Sequence, residues 1–223
     1  MRLVALLLVV LASLSSGSGL TAGGQRDADE DAALAHVRRL AENGDRLAQF
    51  TLAEVLYFGS PSTAEAVTWY RKAAAQEFPA AEFRLGQLFE FGFGVDPDMR
   101  QALTWYLTAA RHGDAAGARA AGDILLKGRG VEADPLQAVS WLRRGAEGDD
   151  LRAQVQLGQL YLDGVSVPRD YIAAYVWFHT AASQTPLVDN YKALVELRNI
   201  AAARMRPEEL AEAEKRAAAR LGR

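Results

Sequence analysis

Few residues in this sequence have the types and spacing to do chemistry. Three histidines, His36, His112 and His179, are the candidate bases or metal ligands. Three aspartates, Asp98, Asp134 and Asp170, recur at 36 residues as a row of carboxylates. The run Gly128-Arg129-Gly130-Val131-Glu132-Ala133 matches a loose dinucleotide fingerprint. Each has a plainer explanation. The histidines stand far apart and none belongs to an HExxH arrangement, whereas metal ligands come clustered, so structural or surface roles suit them better. Aspartates one repeat apart would sit on the order of 10 Å from each other. That is too far for a paired acid and base, which act within about 3 Å of their target or through one water. A helix N-cap is the role this spacing suits. The glycine run holds a phosphate only between a strand and a helix. Here it follows a helical pattern, in phase with Gly92 to Val95, and is turn chemistry.

Composition narrows the field further. The chain has 223 residues, 25 Lys+Arg against 28 Asp+Glu, a net charge of −3, and half of its residues are hydrophobic. That is an ordinary globular composition, long enough for a sizeable core. The slight acidic balance argues against nucleic acid, which calls for a basic excess. The absence of cysteine excludes disulfides, thiolate metal sites, cysteine nucleophiles and lipid attachment through cysteine. No cofactor and no metal are expected.

The chain opens with Arg2, an apolar stretch from Leu3 to Ala12, and small residues from Ser13 to Gly24. This is the layout of a secretory signal peptide, shorter than the roughly 18 apolar residues of a membrane span. Residues 1–22 are therefore assigned as signal peptide, with cleavage fitting after Gly17 or after Ala22. The alternative is an uncleaved anchor. The expected location is periplasmic or secreted, with no stable membrane insertion after cleavage.

The elements that must position any site are set by an internal repeat. Trp69, Trp105, Trp141 and Trp177 are spaced by 36 residues, and each is followed by a large apolar residue: Tyr70, Tyr106, Leu142 and Phe178. Upstream of each stands a small residue, Ala53, Gly86, Gly122 or Gly158. A fixed period of this size marks a solenoid. Within one unit, Ala81, Leu85, Leu88 and Phe89 share one helical face. Gly92 to Val95 stops that helix, and Asp98 caps a second one carrying Ala102, Leu103, Tyr106, Ala109 and Ala110 inward. Gly86 costs helix propensity, about 1 kcal/mol relative to Ala, and calls for close backbone approach by the paired helix. Ser62 with Glu65 reads as a capping box. Each hairpin buries its apolar faces only by stacking on its neighbours.

These residues resemble the Sel-like repeat (SLR) family, a subgroup of tetratricopeptide-like (TPR-like) helical repeats. The likeness rests on Ala81-x3-Leu85-Gly86-x-Leu88-Phe89-x2-Gly92-x-Gly94-Val95-x2-Asp98 and on Ala102-x2-Trp105-Tyr106-x2-Ala109-Ala110-x2-Gly113, repeated in three more units. It covers about residues 33 to 216 and extends to the terminal Met205-Arg206-Pro207-Glu208-Glu209. The resemblance implies an all-α, right-handed α/α superhelix of about four hairpins with helical caps. The domains expected are an acidic lead and capping helix at 23–47 and repeats at 48–80, 81–116, 117–152 and 153–184. Capping helices follow at 185–223, drawn as Pro186 to Arg204 and Pro207 to Leu221. Residues 25–31 read as a flexible acidic lead. Three departures stand out: a shorter first loop at Gly59-Ser60-Pro61, a lost second glycine in Gly164-Val165-Ser166-Val167, and Arg206 where a threonine cap is usual.

In TPR-like solenoids the first helix of each hairpin lines the concave face. The resemblance therefore points to Thr51, Glu54 and Phe58, to Arg84, Gln87 and Phe91, to Asp123 and Lys127, and to Gln156, Gln159 and Asp163 as partner-binding positions. They make a mixed polar groove with an aromatic end at Phe58 and Phe91, Phe93 beside it, suited to an extended peptide or a partner helix. The alternative is that they are merely solvated and that Phe91 and Phe93 pack the loop. The function implied is a non-catalytic scaffold or adaptor for another protein in the periplasm, as a regulator of an envelope signalling or assembly system. The competing classes are a cell-envelope hydrolase and a secreted host-interacting factor.

Overall fold

The structure, a computed structural model, describes residues 23–59, 63–184 and 188–222. The expected signal segment, the Ser62 cap and the Pro186 helix start lie outside the described residues. Within them the chain forms eleven helices and no strand. These are α1 Gly23–Glu42, α2 Arg46–Gly59, α3 Thr63–Ala74, α4 Pro79–Phe91, α5 Met99–Arg111, α6 Ala115–Lys127, α7 Pro135–Glu147, α8 Leu151–Asp163, α9 Tyr171–Ser183, α10 Val188–Ala202 and α11 Pro207–Leu221. Two compact units meet at the His112–Gly113 bond. In the first, α1 packs on α2, α2 on α3, α3 on α4 and α4 on α5. In the second, α6 pairs with α7, α7 with α8 and α8 with α9, and both α10 and α11 pack on α9. Each unit is all-α and built of consecutive hairpins, the building pattern of an α/α solenoid.

The periodic residues explain the hairpins, with one shift of emphasis. The large, fully buried side chain of each second helix is the one after the tryptophan: Tyr70, Tyr106, Leu142 and Phe178. Trp69 and Trp177 are buried as well, while Trp105 and Trp141 are half-buried. The small pivot on the first helix receives that following side chain. A Cβ on Gly86 would lie 2.5 Å from the Tyr106 ring, one on Gly122 2.7 Å from Leu142, and one on Gly158 2.9 Å from Phe178. The expected close approach is therefore made chiefly by a side chain of the paired helix.

Two rows of aspartates start the helices. Asp98 accepts from the Arg100 and Gln101 amides, Asp134 from Gln137 and Asp170 from Ala173, the N-cap geometry that satisfies orphan donors. A second row, absent from the expectations, caps first helices: Asp45 on Ala48, Asp114 on Gly117 and Asp150 on Ala153. Burial raises the Asp114 carboxyl above its ordinary range, partly offset by the Gly117 amide. Gly92, Gly128 and Gly164 end first helices in the left-handed conformation, which places the Gly128 to Ala133 run in a turn, as its phase predicts.

Two expectations are corrected. Residues 25–31 belong to α1 instead of forming a flexible lead; Ala28, Glu30 and Ala32 are helix formers with no breaker after Gly24. The Glu65 Oε1 atom accepts from Arg38 at 3.0 Å and from the Trp69 indole at 3.4 Å; its expected box with Ser62 lies outside the described residues. The last helix does find a partner at its start: although Arg206 offers no cap acceptor, Glu209 reaches back to the Arg206 amide at 2.9 Å.

Candidate functional site

The helical frame puts the variable positions of each first helix in three columns, at spacings i, i+3 and i+7. On α2 these are Thr51, Glu54 and Phe58; on α4 they are Arg84, Gln87 and Phe91. Two of the expected surface residues are interior. Thr51 is 3% exposed and Glu54 5% exposed, so neither presents a face to a partner. The reason lies one repeat away. Arg84 reaches back from α4 and forks onto Glu54, Nε to Oε1 at 2.8 Å and Nη2 to Oε2 at 2.9 Å. The Tyr70 hydroxyl donates to the same carboxylate at 2.5 Å. Burial and the Glu54 charge push the Tyr70 phenol far above its ordinary value. Burial pulls the Arg84 guanidinium down, but hydrogen bonds and attraction to Glu54 outweigh it and hold it above its ordinary value. A third Arg84 bond goes to the Gln87 carbonyl at 2.9 Å.

Over this closed polar floor stands a chain of aromatic rings. Phe58 and Phe91 are 53% and 58% exposed and Phe93 is 45% exposed. Tyr57 contacts Phe58 at 4.9 Å between ring centroids and Phe93 at 6.2 Å, and Phe93 contacts Phe91 at 5.9 Å. The Arg84 guanidinium lies 5.9 Å from the Phe58 ring centre. Phe93 joins the strip because Gly92 and Gly94 both adopt positive φ, and a Cβ at Gly94 would strike Thr63. Contiguous exposed rings of this kind mark interaction sites. The contribution of Tyr57 was not expected; its signal is its place next to Phe58 at the end of α2.

The same columns in the second unit are polar. Asp123 accepts from Gln156 at 2.6 Å and from Arg119 at 3.2 Å, and Arg119 also pairs with Asp150 at 3.3 Å. Gln159 donates to both Asp163 oxygens at 2.9 Å. Lys127 is exposed. Gln156 and Asp123 repeat the inter-helix link of Arg84 and Glu54, with an amide in place of the guanidinium. The second unit also holds a cavity of about 450 Å³ lined by Tyr161, Pro168, Tyr171, Ile172 and Met205. Its charged neighbours are engaged: Arg169 donates to the Asp163 carbonyl and Asp170 caps α9.

The histidines hold separate posts. His36 Nδ1 accepts from Arg39 at 3.0 Å. His112 lies 2.8 and 2.9 Å from the two oxygens of Glu82, itself 1% exposed. That pair occupies the slot where Gln76 donates to Gln49 in the first repeat, which marks it as an inter-helix tie. His179 stacks on Tyr175, and burial, then Arg198, push its pKa down. Among the described residues no group of three or more His, Asp or Glu could hold a metal ion, and no helix is long and apolar enough to cross a membrane.

The Sel1 repeat model matches residues 46–78, 79–114, 115–150 and 151–186, each match opening on or beside the start of a first helix. The chain belongs to the Sel1 repeat family. A Sel1 repeat protein from Oxalobacter formigenes is similar at 32% identity and a TM-score of 0.69, over 83% of this chain and 78% of that one. A sel1 repeat protein from Klebsiella pneumoniae subsp. pneumoniae is 23% identical, with a TM-score of 0.51, over 82% of this chain and 98% of its own, and shows the fold alone. A protective antigen of uropathogenic Escherichia coli with an SLR fold is 27% identical over 99% of this chain and 53% of that one, at a TM-score of 0.48. No curated protein matches. Sel1 repeats are a protein-interaction fold, generally non-catalytic, and this member carries four of them.

Proposed function

We propose that this Sel1 repeat protein is a non-catalytic scaffold of the bacterial periplasm that binds one partner protein on the first-helix face of its first two repeats. It would serve there as a regulator of an envelope signalling or assembly system. The observation that supports the reading is the exposure of Phe58, Phe93 and Phe91, linked through the half-buried Tyr57 and set beside the Glu54–Arg84 pair. Exposed phenyl rings gain from burial against a partner at about 25 cal/mol per Å², and aromatic anchors of this kind dominate binding energy. The export part of the proposal is supported by Arg2 and the apolar run Leu3 to Ala12.

The test is in-cell crosslinking of the tagged full-length chain, with mass spectrometry of what it captures, beside the variant Phe58→Ser/Phe91→Ser. Capture of one or two envelope proteins, lost in the variant, supports the reading; capture unchanged by the variant overturns it. Fractionation checks the location, and recovery of the chain in the cytoplasm would end the export proposal. An alanine triple at Arg84, Gln87 and Asp123 is the poorer probe, because removing Arg84 strands the buried Glu54 carboxylate.

A further inference from the structure

The second unit carries a concavity of its own, apart from the ring strip of the first. Its cavity of about 450 Å³ falls within the roughly 300–1,000 Å³ of small-molecule sites. It opens among the end of α8, the start of α9 and the start of α11, off the three first-helix columns. The repeat departs from its own pattern here at two positions. Phe89 and Leu125 are buried in the slot that Tyr161 fills, whereas Tyr161 is half-buried and its hydroxyl accepts from Arg143 at 2.6 Å. Asp98 and Asp134 each give their second oxygen to a glutamine three residues on, Gln101 at 3.1 Å and Gln137 at 3.5 Å. At Asp170 that slot holds Ala173, and among the described residues no side chain takes the second oxygen.

Three charged side chains line the cavity, Arg169, Asp170 and Glu209, and each is already balanced. Arg169 donates through Nη2 to the Asp163 carbonyl at 2.9 Å, on the negative end of α8. Asp170 caps the positive end of α9, accepting from the Ala173 amide at 2.9 Å. Glu209 accepts from the Arg206 amide at 2.9 Å and from its guanidinium at 3.1 Å. Neighbouring charges are engaged too: Arg143 on Tyr161, Glu208 with Arg206 at 3.9 Å, and the Asp163 carboxylate with Gln159. An entering anion would face Asp170 and Glu209, and an entering cation Arg169. A zwitterion would set each of its charges beside one of like sign, since Arg169 and Asp170 are neighbours in the chain.

Hydrogen-bonding capacity of both kinds nevertheless remains. Arg169 has five N–H donors and spends one on Asp163. The second Asp170 oxygen can accept, and the Tyr161 and Tyr171 hydroxyls each keep a proton to donate. The rest of the wall is apolar: the two tyrosine rings, Ile172, Met205 and Pro168. The negative face of an aromatic ring draws the weakly polarised C–H groups of a ligand laid on it. The matching ligand is uncharged, has C–H faces for the rings, and carries several groups that both donate and accept. A polyhydroxylated ring meets all three demands. A purely apolar side chain would cover Asp170 and Arg169 without replacing their water.

We infer that this cavity binds a neutral saccharide, its ring against Tyr161 and Tyr171 and its hydroxyls on Asp170 and Arg169. The test is to screen the full-length chain on an array of defined neutral, acidic and amino saccharides, with the free amino acids as a parallel panel. Bound sugars are then titrated by calorimetry against wild type, Tyr171→Ala, Asp170→Asn and Phe58→Ser/Phe91→Ser. Asparagine keeps the cap of α9 but presents an N–H donor where the second oxygen stood. The expected result is binding of neutral sugars, with affinity at least tenfold lower in Tyr171→Ala and about fivefold lower in Asp170→Asn. Affinity should be unchanged in the phenylalanine variant and between about 0.05 and 0.5 M salt. Mono- and disaccharides on the array report a free sugar as the source, and longer chains a polymer strand. Circular dichroism and thermal melts check folding, and Asp170→Asn decides the matter if Tyr171→Ala does not fold. Binding confined to charged sugars or amino acids would overturn the inference, as would an array with no sugar bound. So would neutral-sugar binding that survives both cavity variants, or that is lost in Phe58→Ser/Phe91→Ser.

Discussion

The first and second units place different chemistry in the same slots of the same helical frame. At the last turn of the first helices the first unit has Phe58 and Phe91, exposed and linked by ring contacts, while the second has Lys127 and Asp163. One column inward, Arg84 forks onto a buried carboxylate, whereas Gln156 donates a single amide bond to a half-buried one. The hairpin geometry accepts either choice, because it is set by the pivot and the residue after the tryptophan. The variable columns are thereby free to differ, and in these columns only the first unit ends its first helices in exposed phenyl rings.

The largest expected effect breaks the comparison at the inner column. Arg84→Ala leaves Glu54, 5% exposed, without its cation, and should cost about 3 kcal/mol in a denaturant titration. Arg119→Ala removes partners from two acids that keep more solvent and should cost about 1 kcal/mol or less. Equal losses would mean that the two links are equivalent. Next in size is the shared frame. Gly86→Ala drives a methyl to 2.5 Å from the Tyr106 ring and should cost about 2 kcal/mol after its gain in helix propensity. Gly122→Ala, at 2.7 Å from Leu142, should behave alike, since at this layer the two units are the same.

A smaller effect sharpens the contrast at the outer column. Phe58→Ser/Phe91→Ser should leave stability within about 0.5 kcal/mol, as exposed sites do, and lower partner capture at least tenfold. Lys127→Ser/Asp163→Ser, the matching change in the second unit, should leave capture within about twofold. Loss of capture in both would mean that the partner spans both regions.

The period, the hairpins and the Asp98 row were legible because each depends on a residue and its neighbours within one helix or turn. Trp69 and Tyr70 illustrate the limit: both are large and apolar, and only the packing of the paired helix decides that Tyr70 and its counterparts are the fully buried ones. The caps at Asp45, Asp114 and Asp150 were missed because Phe78-Pro79 interrupts their row. Glu54 was taken for surface because its cover, Arg84, comes from the next repeat, 30 residues beyond it. The exposed ends of the first helices were readable from phase at Phe58 and Phe91, but the continuity of the strip through Phe93 and Tyr57 needs the left-handed turn at Gly92 and Gly94.

The two units also treat their histidines in opposite ways, and this gives the smallest prediction. In the first, His112 is tied to the buried Glu82. In the second, His179 has no such acid: burial and then Arg198 lower its pKa, with Glu214 opposing weakly. A lowered pKa means that the folded chain resists a proton that the unfolded chain accepts. The stability associated with His179 is therefore present above the ordinary histidine range of about 6.5 and is lost as pH falls below it. His179→Gln removes that dependence. The melting temperature of the variant should fall less than that of wild type between neutral and mildly acidic buffer, by on the order of 1 °C because the ring is only half-buried. A steeper acid-side fall in the variant would show that Glu214, and not Arg198, governs the site.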